Sequence, residues 1–257
     1  MARSPGGPPP TPVVQRLRVR YARRGRMRFT SHRDFARALE RALRRAAVPV
    51  GFSAGFSPHP KVSYLGAVPT GAASEAEYLE IGLAARRAPG TVGEALDAAL
   101  PAGLDIVEVV QARIGAGSLA ERIDTSEWVL RLPGVDDAEL GHVVGAFLHA
   151  GEVTVERVTR EGRRRLDARA CVVRLECVEP DTDHGCAILR AVVRHGSPAV
   201  RPDDVLAGLR VVAGLVPPSP PLATRLAQGL LDPSTGRLAD PLAPDREHAA
   251  VDEVVGA

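Results

Sequence analysis

Lysine is almost missing from this chain: Lys61 is the single lysine among 33 basic residues. With Ala and Gly abundant, a GC-rich genome explains that bias as readily as selection for guanidinium chemistry does. Cysteine is scarce too. Cys171, Cys177 and Cys186 are odd in number and separated by five and then eight residues, a spacing that makes no disulfide framework and matches no zinc or cluster pattern. His184 lies close by, but ordinary buried thiols account for the set. No apolar run approaches the roughly 18 residues of a membrane helix, so no membrane partner is expected. The opening Met1–Thr11 is proline-rich without an apolar h-region, which excludes a secretory signal and predicts a cytoplasmic protein. Walker, HExxH, GxSxG and CxxxCxxC motifs, and a GxGxxG following a strand, are all absent, so self-sufficient nucleotide, redox or serine-hydrolase chemistry is not expected.

What is present is charge polarity. The net charge is only +2, yet residues 1–61 carry +12 and the remainder −10. Such asymmetry points to an anionic partner for the first part, and nucleic acid is the natural one.

Leu17, Val19 and Tyr21 alternate with Arg16, Arg18 and Arg20, the pattern of a half-buried strand with one face of arginines. After the turn at Arg23–Gly25, Met27 and Phe29 against Arg26 and Arg28 predict that the strand resumes. Ser31 with Asp34 three residues on forms a capping box, and Phe35, Leu39, Ala42, Leu43 and Ala46 recur at helical spacing until Pro49. Arg37, Arg41, Arg44 and Arg45 fill the opposite face, where Glu40 alone cannot neutralise them. Strands near 62–68, 78–83 and 104–110 and a helix near 91–100 complete a β-α-β-β-α-β order. This is the split βαβ arrangement, whose second sheet face stays open.

A similar order restarts at Trp128. The expected fold class is therefore α+β, with two ferredoxin-like domains in tandem. Residues 1–13 form a disordered lead, 14–114 the first domain, 115–125 a linker, 126–215 the second domain and 216–257 a mostly disordered tail. The second domain includes a strand over 166–178 and a last strand around 211–215.

Three places can carry chemistry. His32 follows the cap Ser31, where the helix dipole favours a neutral imidazole that can act as a base or bind a phosphate oxygen, or simply fill the first turn. In the loop "GFSAGFSPHPK", residues 51–61, prolines stiffen both sides of His59, so contacts to a ligand come from Ser57, His59 and Lys61, with Phe52 and Phe56 free to stack on bases or to anchor the loop. In "RRRLDAR", residues 163–169, alternation places Asp167 and Arg169 on one strand face, with Asp167 as an ion-pair partner or a catalytic group.

The run "VRYARRGRMRFTSHRDFARALERALRRAAVPVGFSAGFSPHPKVSYLGAVPTGAASEAEYLEI", residues 19–81, closely resembles the radical SAM-associated (radical SAM-linked) proteins of bacteria, and "RRLDARA", residues 164–170, resembles their later Asp-x-Arg segment with Ala168 and Ala170 in place of a commoner Ile and Pro. The resemblance covers roughly residues 15–215. It implies a stand-alone partner of a separately encoded radical SAM enzyme, with the S-adenosylmethionine and iron-sulfur cluster on that enzyme and no cofactor or metal on this chain. The leading expectation is an RNA-binding accessory subunit that presents tRNA or rRNA. Arg18, Arg20, Arg26, Arg28, Arg33, Arg37, Arg41, Ser57, Lys61 and Phe56 would then hold the RNA. The alternatives are a metal-independent RNA-processing or RNA-modifying enzyme using His32 and His59 as acid and base, and a protein-docking scaffold.

Overall fold

Alternation in the first strand determines how it packs. In a computed structural model of the chain, which describes residues 8–113, 115–159, 162–181 and 185–248, Leu17, Val19 and Tyr21 are all buried beneath helices. The protein is α+β and divides into two compact units, Met1–Arg122 with Asp240–Ala257, and Ile123–Ala239.

The first unit runs β1 (Gln15–Arg23), α1 (His32–Arg45), β2 (Val62–Leu65), β3 (Ala73–Leu83), α2 (Pro89–Ala99) and β4 (Leu104–Gln111). Its strands lie in the order β4-β1-β3-β2, each neighbouring pair antiparallel. Helices α1 and α2 bury Phe35, Leu39, Leu43, Val92 and Leu96 against Leu17, Val19, Leu79 and Ile81. Each such side chain contributes about 1.5–3 kcal/mol of hydrophobic stabilisation. Tyr21 and Phe35 stack with ring centroids 4.5 Å apart, which fixes the start of α1 over the end of β1.

Three expectations for this unit are corrected. Met27 and Phe29 do not resume a strand: the 27 N–H bonds back to Arg24 and the 30 N–H to Met27, giving a 3-10 turn over Gly25–Phe29 that leaves Phe29 60% exposed. The second sheet face is not open either. A 3-10 turn at Leu119–Arg122 and a helical turn at 243–248 lie over Arg18, with Leu119 and Leu242 fully buried. Nor is all of the lead loose. Thr11 N–H donates to the Phe52 carbonyl at 3.0 Å, and Gly55 N–H donates to that of Pro8 at 3.2 Å. Residues 1–7 of the expected lead, and residues 249–257 of the tail, lie outside the described residues.

The second unit runs β5 (Thr125–Pro133), α3 (Asp137–His149), β6 (Thr154–Thr159), β7 (Gly162–Asp167), α4 (Ala168–Cys171), β8 (Val172–Asp181), β9 (Cys186–Arg194), α5 (Pro202–Ala213) and β10 (Leu222–Gly229). Its sheet order is β10-β5-β9-β8, and β6 and β7 form a separate hairpin.

The expected strand over 166–178 is broken, because Asp167 caps a one-turn helix between β7 and β8. The expected last strand at 211–215 is instead the end of α5 and its left-handed cap Gly214, and the closing strand is β10, inside the segment read as a disordered tail. That segment is held by its own backbone: Ala239 N–H donates to the Leu230 carbonyl at 2.9 Å. The chain passes so close that a Cβ on Gly229 would lie 1.9 Å from the Ala239 oxygen.

Candidate nucleic-acid interface

The residues of α1 sort cleanly by face. Ser31 Oγ accepts from Asp34 N–H at 3.1 Å, satisfying one of the orphan donors at the helix start. Phe35, Ala38, Leu39, Ala42 and Leu43 turn inward, leaving Arg33, Arg37, Arg41, Arg44 and Arg45 exposed. Positions 33, 37 and 41 are successive i,i+4 neighbours and so form a row along the helix. Arg33 and Arg41 make no ion pair among the described residues. Arg37 has only a 3.8 Å contact with Asp34, both side chains being more than half exposed, and such pairs hold little energy. The row is therefore a cationic ridge in water. At its start stands Phe29, with the Arg28 guanidinium 4.9 Å from its ring centroid, and the exposed Arg26 beside it.

Toward the other end of α1 lies the proline-clamped loop. Phe52 and Pro60 bridge its two arms, Ser53 N–H donates to the His59 carbonyl at 2.9 Å, and His59 N–H donates to Ser53 Oγ at 3.0 Å. These bonds make 52–60 a small closed hairpin. At its tip Gly55 takes φ +109°, outside the range of an ordinary side chain. Phe56 is 84% exposed, and Ser57, Pro58 and His59 are exposed beside it. Between this loop and α1 is a cleft of about 180 Å³, lined by Glu40, Leu43, Arg44, Phe52, Pro58 and His59 among others.

The two imidazoles occupy different places. His32 packs edge-on against Tyr64, centroids 4.9 Å apart, at the first turn of α1. His59 faces the helix at Glu40 and Arg44, eight to twelve residues further on, which at 1.5 Å per residue is about 12–18 Å along the axis. They do not form one acid–base pair. Tyr64, which also meets the Phe35 ring edge-on at 5.9 Å, is pushed up to about 12 by burial, with the Glu40 charge adding to it.

Several expected ligand residues are already engaged. Arg18 is wholly buried: Nε donates to Glu80 at 2.8 Å, Nη1 to Asp245 at 2.7 Å, and Nη2 to the Gly117 carbonyl at 2.5 Å. It holds the fold together and meets no solvent, and the acids covering it lie 62 and 227 positions along the chain, beyond any local pattern. Arg20 Nε donates to the Glu75 carbonyl at 2.9 Å. Lys61 Nζ donates to the Thr11 carbonyl at 2.9 Å and ties the lead to the loop instead of projecting from it.

In the second unit Asp167 Oδ1 accepts the N–H groups of Val153 and Arg169 at 3.0 and 2.9 Å, and Arg169 donates to the carbonyls of Val172 and Leu148 at 3.1 and 3.4 Å. Both are structural clasps around α4. The three cysteines are free thiols; burial pushes the half-buried Cys171 up, as does the neighbouring Asp167 charge. Among the described residues no group of three or more His, Cys, Asp or Glu could hold a metal, and His184 lies outside them.

Sequence reading missed a polar cluster in the second unit. His195 Nε2 and the buried Ser126 Oγ are 2.6 Å apart, and Ser126 also lies 3.4 Å from Gln228 Oε1. Burial holds the His195 imidazole below its ordinary value and the Arg225 charge adds to this, against the pull of Asp124. The residues are separated by up to 102 positions, so no local pattern announces them. Glu40 as a cleft residue was missed for a different reason, since it reads locally as an ordinary helix acid; Phe52, expected to stack on bases or to anchor the loop, lines the cleft beside it.

Fold and surface together define an α+β protein whose first unit presents an arginine ridge and a small aromatic-edged cleft. A family model described as "Uncharacterized protein conserved in bacteria (DUF2344)" matches residues 16–202, and the chain belongs to that family. No curated protein matches the chain. Among solved structures, the "Crystal Structure of a Cbf5-Nop10-Gar1 Complex" is similar at a TM-score of 0.42 and 10% identity over 88% of this chain, which spans 55% of that one. Ferric DtpA from Streptomyces lividans is similar at a TM-score of 0.23 and 13% identity, covering 85% of this chain and 88% of that one. DyPB from Rhodococcus jostii RHA1 is similar at 0.20 and 14%, covering 89% and 95%. These likenesses are too low to carry an argument about function. Among the described residues no helix is long and apolar enough to cross a membrane.

Proposed function

We propose that this protein is an RNA-binding accessory subunit that holds an unpaired stretch of tRNA or rRNA along α1 and across the 52–60 loop. It presents that stretch to a separately encoded radical SAM enzyme, which carries the S-adenosylmethionine and iron-sulfur cluster. In the same reading both units are ferredoxin-like. The orders β4-β1-β3-β2 and β10-β5-β9-β8 follow one scheme, with the β6–β7 hairpin and α4 inserted in the second.

The observation that carries the proposal is the pairing of an unneutralised arginine row with exposed aromatic rings, Phe29 near its start and Phe52 and Phe56 toward its end. Guanidinium groups supply affinity for the phosphate backbone and rings supply stacking platforms for splayed bases, the combination that single-stranded RNA requires. A protein-docking surface also gathers arginines and aromatic rings; the run of arginines along α1 that no buried acid pairs is what favours a polyanion. Arg18 is buried and so falls outside this reading; Arg20 and Lys61 each spend one donor on a backbone carbonyl, and the reading centres on the helix, the Gly25–Phe29 turn and the loop.

Crosslinking in cells followed by sequencing of bound RNA tests the reading directly. Enrichment of particular tRNA or rRNA positions near a radical SAM modification is the expected result. Recovery of protein partners with no RNA would favour docking and remove it.

A further inference from the structure

The cleft between α1 and the loop contains something that a phosphate-binding ridge has no use for, an acid. Past the first turn, where Asp34 sits, Glu40 is the one acid among the arginines of α1, and it lowers their attraction for a polyanion. The ordinary explanation is an i,i+4 ion pair with Arg44. The contact is absent: Arg44 Nε donates at 3.3 Å to the Glu40 backbone carbonyl, and the Glu40 carboxylate makes no hydrogen bond or ion pair among the described residues. Instead Glu40 lines the cleft, together with the apolar Leu43, Phe52 and Pro58 and the imidazole of His59.

We propose that this cleft is the site for a single unpaired guanine base, an inference that rests on the RNA-binding reading above. Size comes first. A cavity of about 150 Å³ lined by apolar side chains takes up one benzene ring, so about 180 Å³ open to solvent admits one heteroaromatic ring system and not a drug-sized ligand. Charge complementarity then separates a nucleotide from an apolar peptide side chain. Arg44 lines the cleft and Arg41 stands one turn before it, so the occupant is a ring that brings a phosphate with it.

The identity of the base follows from Glu40. An ionised carboxylate only accepts, and it accepts twice. Guanine alone among the four bases offers two adjacent donors, N1–H and N2–H₂, on its Watson–Crick edge. Adenine and cytosine set one donor beside an acceptor that would face the carboxylate, and uracil flanks its one donor with two carbonyls. An acceptor left against an acceptor in a partly enclosed site loses most of the binding. Phe52 and His59, held by the Phe52–Pro60 bridge and the Ser53–His59 hydrogen bonds, give the ring surfaces to stack on without further ordering of the loop.

Fluorescence anisotropy on the full chain tests this, using labelled ten-residue oligouridylates with one central G, A, C or inosine. The guanine oligomer is expected to bind about tenfold more tightly than the A or C oligomer, with inosine, which lacks the 2-amino group, in between. Glu40→Gln is expected to level these differences, and Phe52→Ala to weaken the guanine oligomer most. Glu40 is half-buried in the cleft wall, and an unchanged circular dichroism melt would show that its variant is folded. If all four oligomers bind equally, or the guanine preference survives in Glu40→Gln, the guanine site is wrong while RNA binding stands. If none of them binds, both readings fall.

Discussion

A guanidinium with no exposed surface depends wholly on its partners, and Arg18 is that case. Asp245 answers it, and also takes Arg122 Nη1 at 2.6 Å and the Arg113 N–H at 3.1 Å. Burial by itself would push the Asp245 carboxyl up; the bonds from Arg18, Arg113 and Arg122 outweigh it and hold the group below its ordinary 3.8. Asp245→Asn should therefore destabilise the protein by about 3 kcal/mol, the low end for breaking a buried pair, since Glu80 still faces Arg18. A lower denaturant midpoint at unchanged slope is the readout. Because the folded carboxyl holds its proton less tightly than the unfolded one, its contribution is complete above about pH 3.8 and disappears as pH falls through the lower folded value. The gap between wild type and Asp245→Asn should accordingly close in acid, and a constant gap down to pH 2 would contradict the assignment. None of this was legible at Arg18 itself. Alternation correctly separated it from Leu17 and Val19, but the acid that converts a binding face into a core lies 227 positions away.

At the scale of the element, α1 was nearly all legible, because its determinants are local: a cap, a 3.6-residue apolar stripe and a proline beyond the end. Ser31→Ala should cost about 1 kcal/mol through the lost bond to Asp34 N–H, read as a fall in the melting midpoint. On the exposed face, each arginine that neutralises a phosphate contributes about 0.7 to the slope of log K against log salt for a single strand. The Arg37→Ala/Arg41→Ala variant should then bind oligouridylate more weakly at low salt and show a slope smaller by about 1.4. An unchanged slope would place the ridge outside the interface. The 52–60 loop was legible as stiff, from its prolines, but not in its direction. Lys61 looked free because nothing local shows that the carbonyl of Thr11 waits for it.

At the scale of the molecule the error was at the end of the chain. Strand β10 buries Arg225, Gln228 and Gly229 and leaves Leu222 exposed, so its pattern inverts the apolar alternation by which strands are recognised, and the prolines around it completed the impression of disorder. Past that strand, residues 240–248 return to the first unit and bring Asp245 to Arg18, while Arg246 pairs with Glu108 at 2.7 Å. A chain ending at Ala239 would thus retain every strand and numbered helix yet leave Arg18 and Arg122 without their shared acid. Hydrogen exchange on that truncated chain should show β1 and β4 losing protection by an order of magnitude or more, with β5 and β9 protected as before. The comparison separates a local unlatching from general unfolding, since only the first unit has lost a buried counter-charge. Equal protection of β1 in the full and truncated chains would mean that the sheet closes without its latch, and that the buried Asp245 contributes nothing to holding the first unit together.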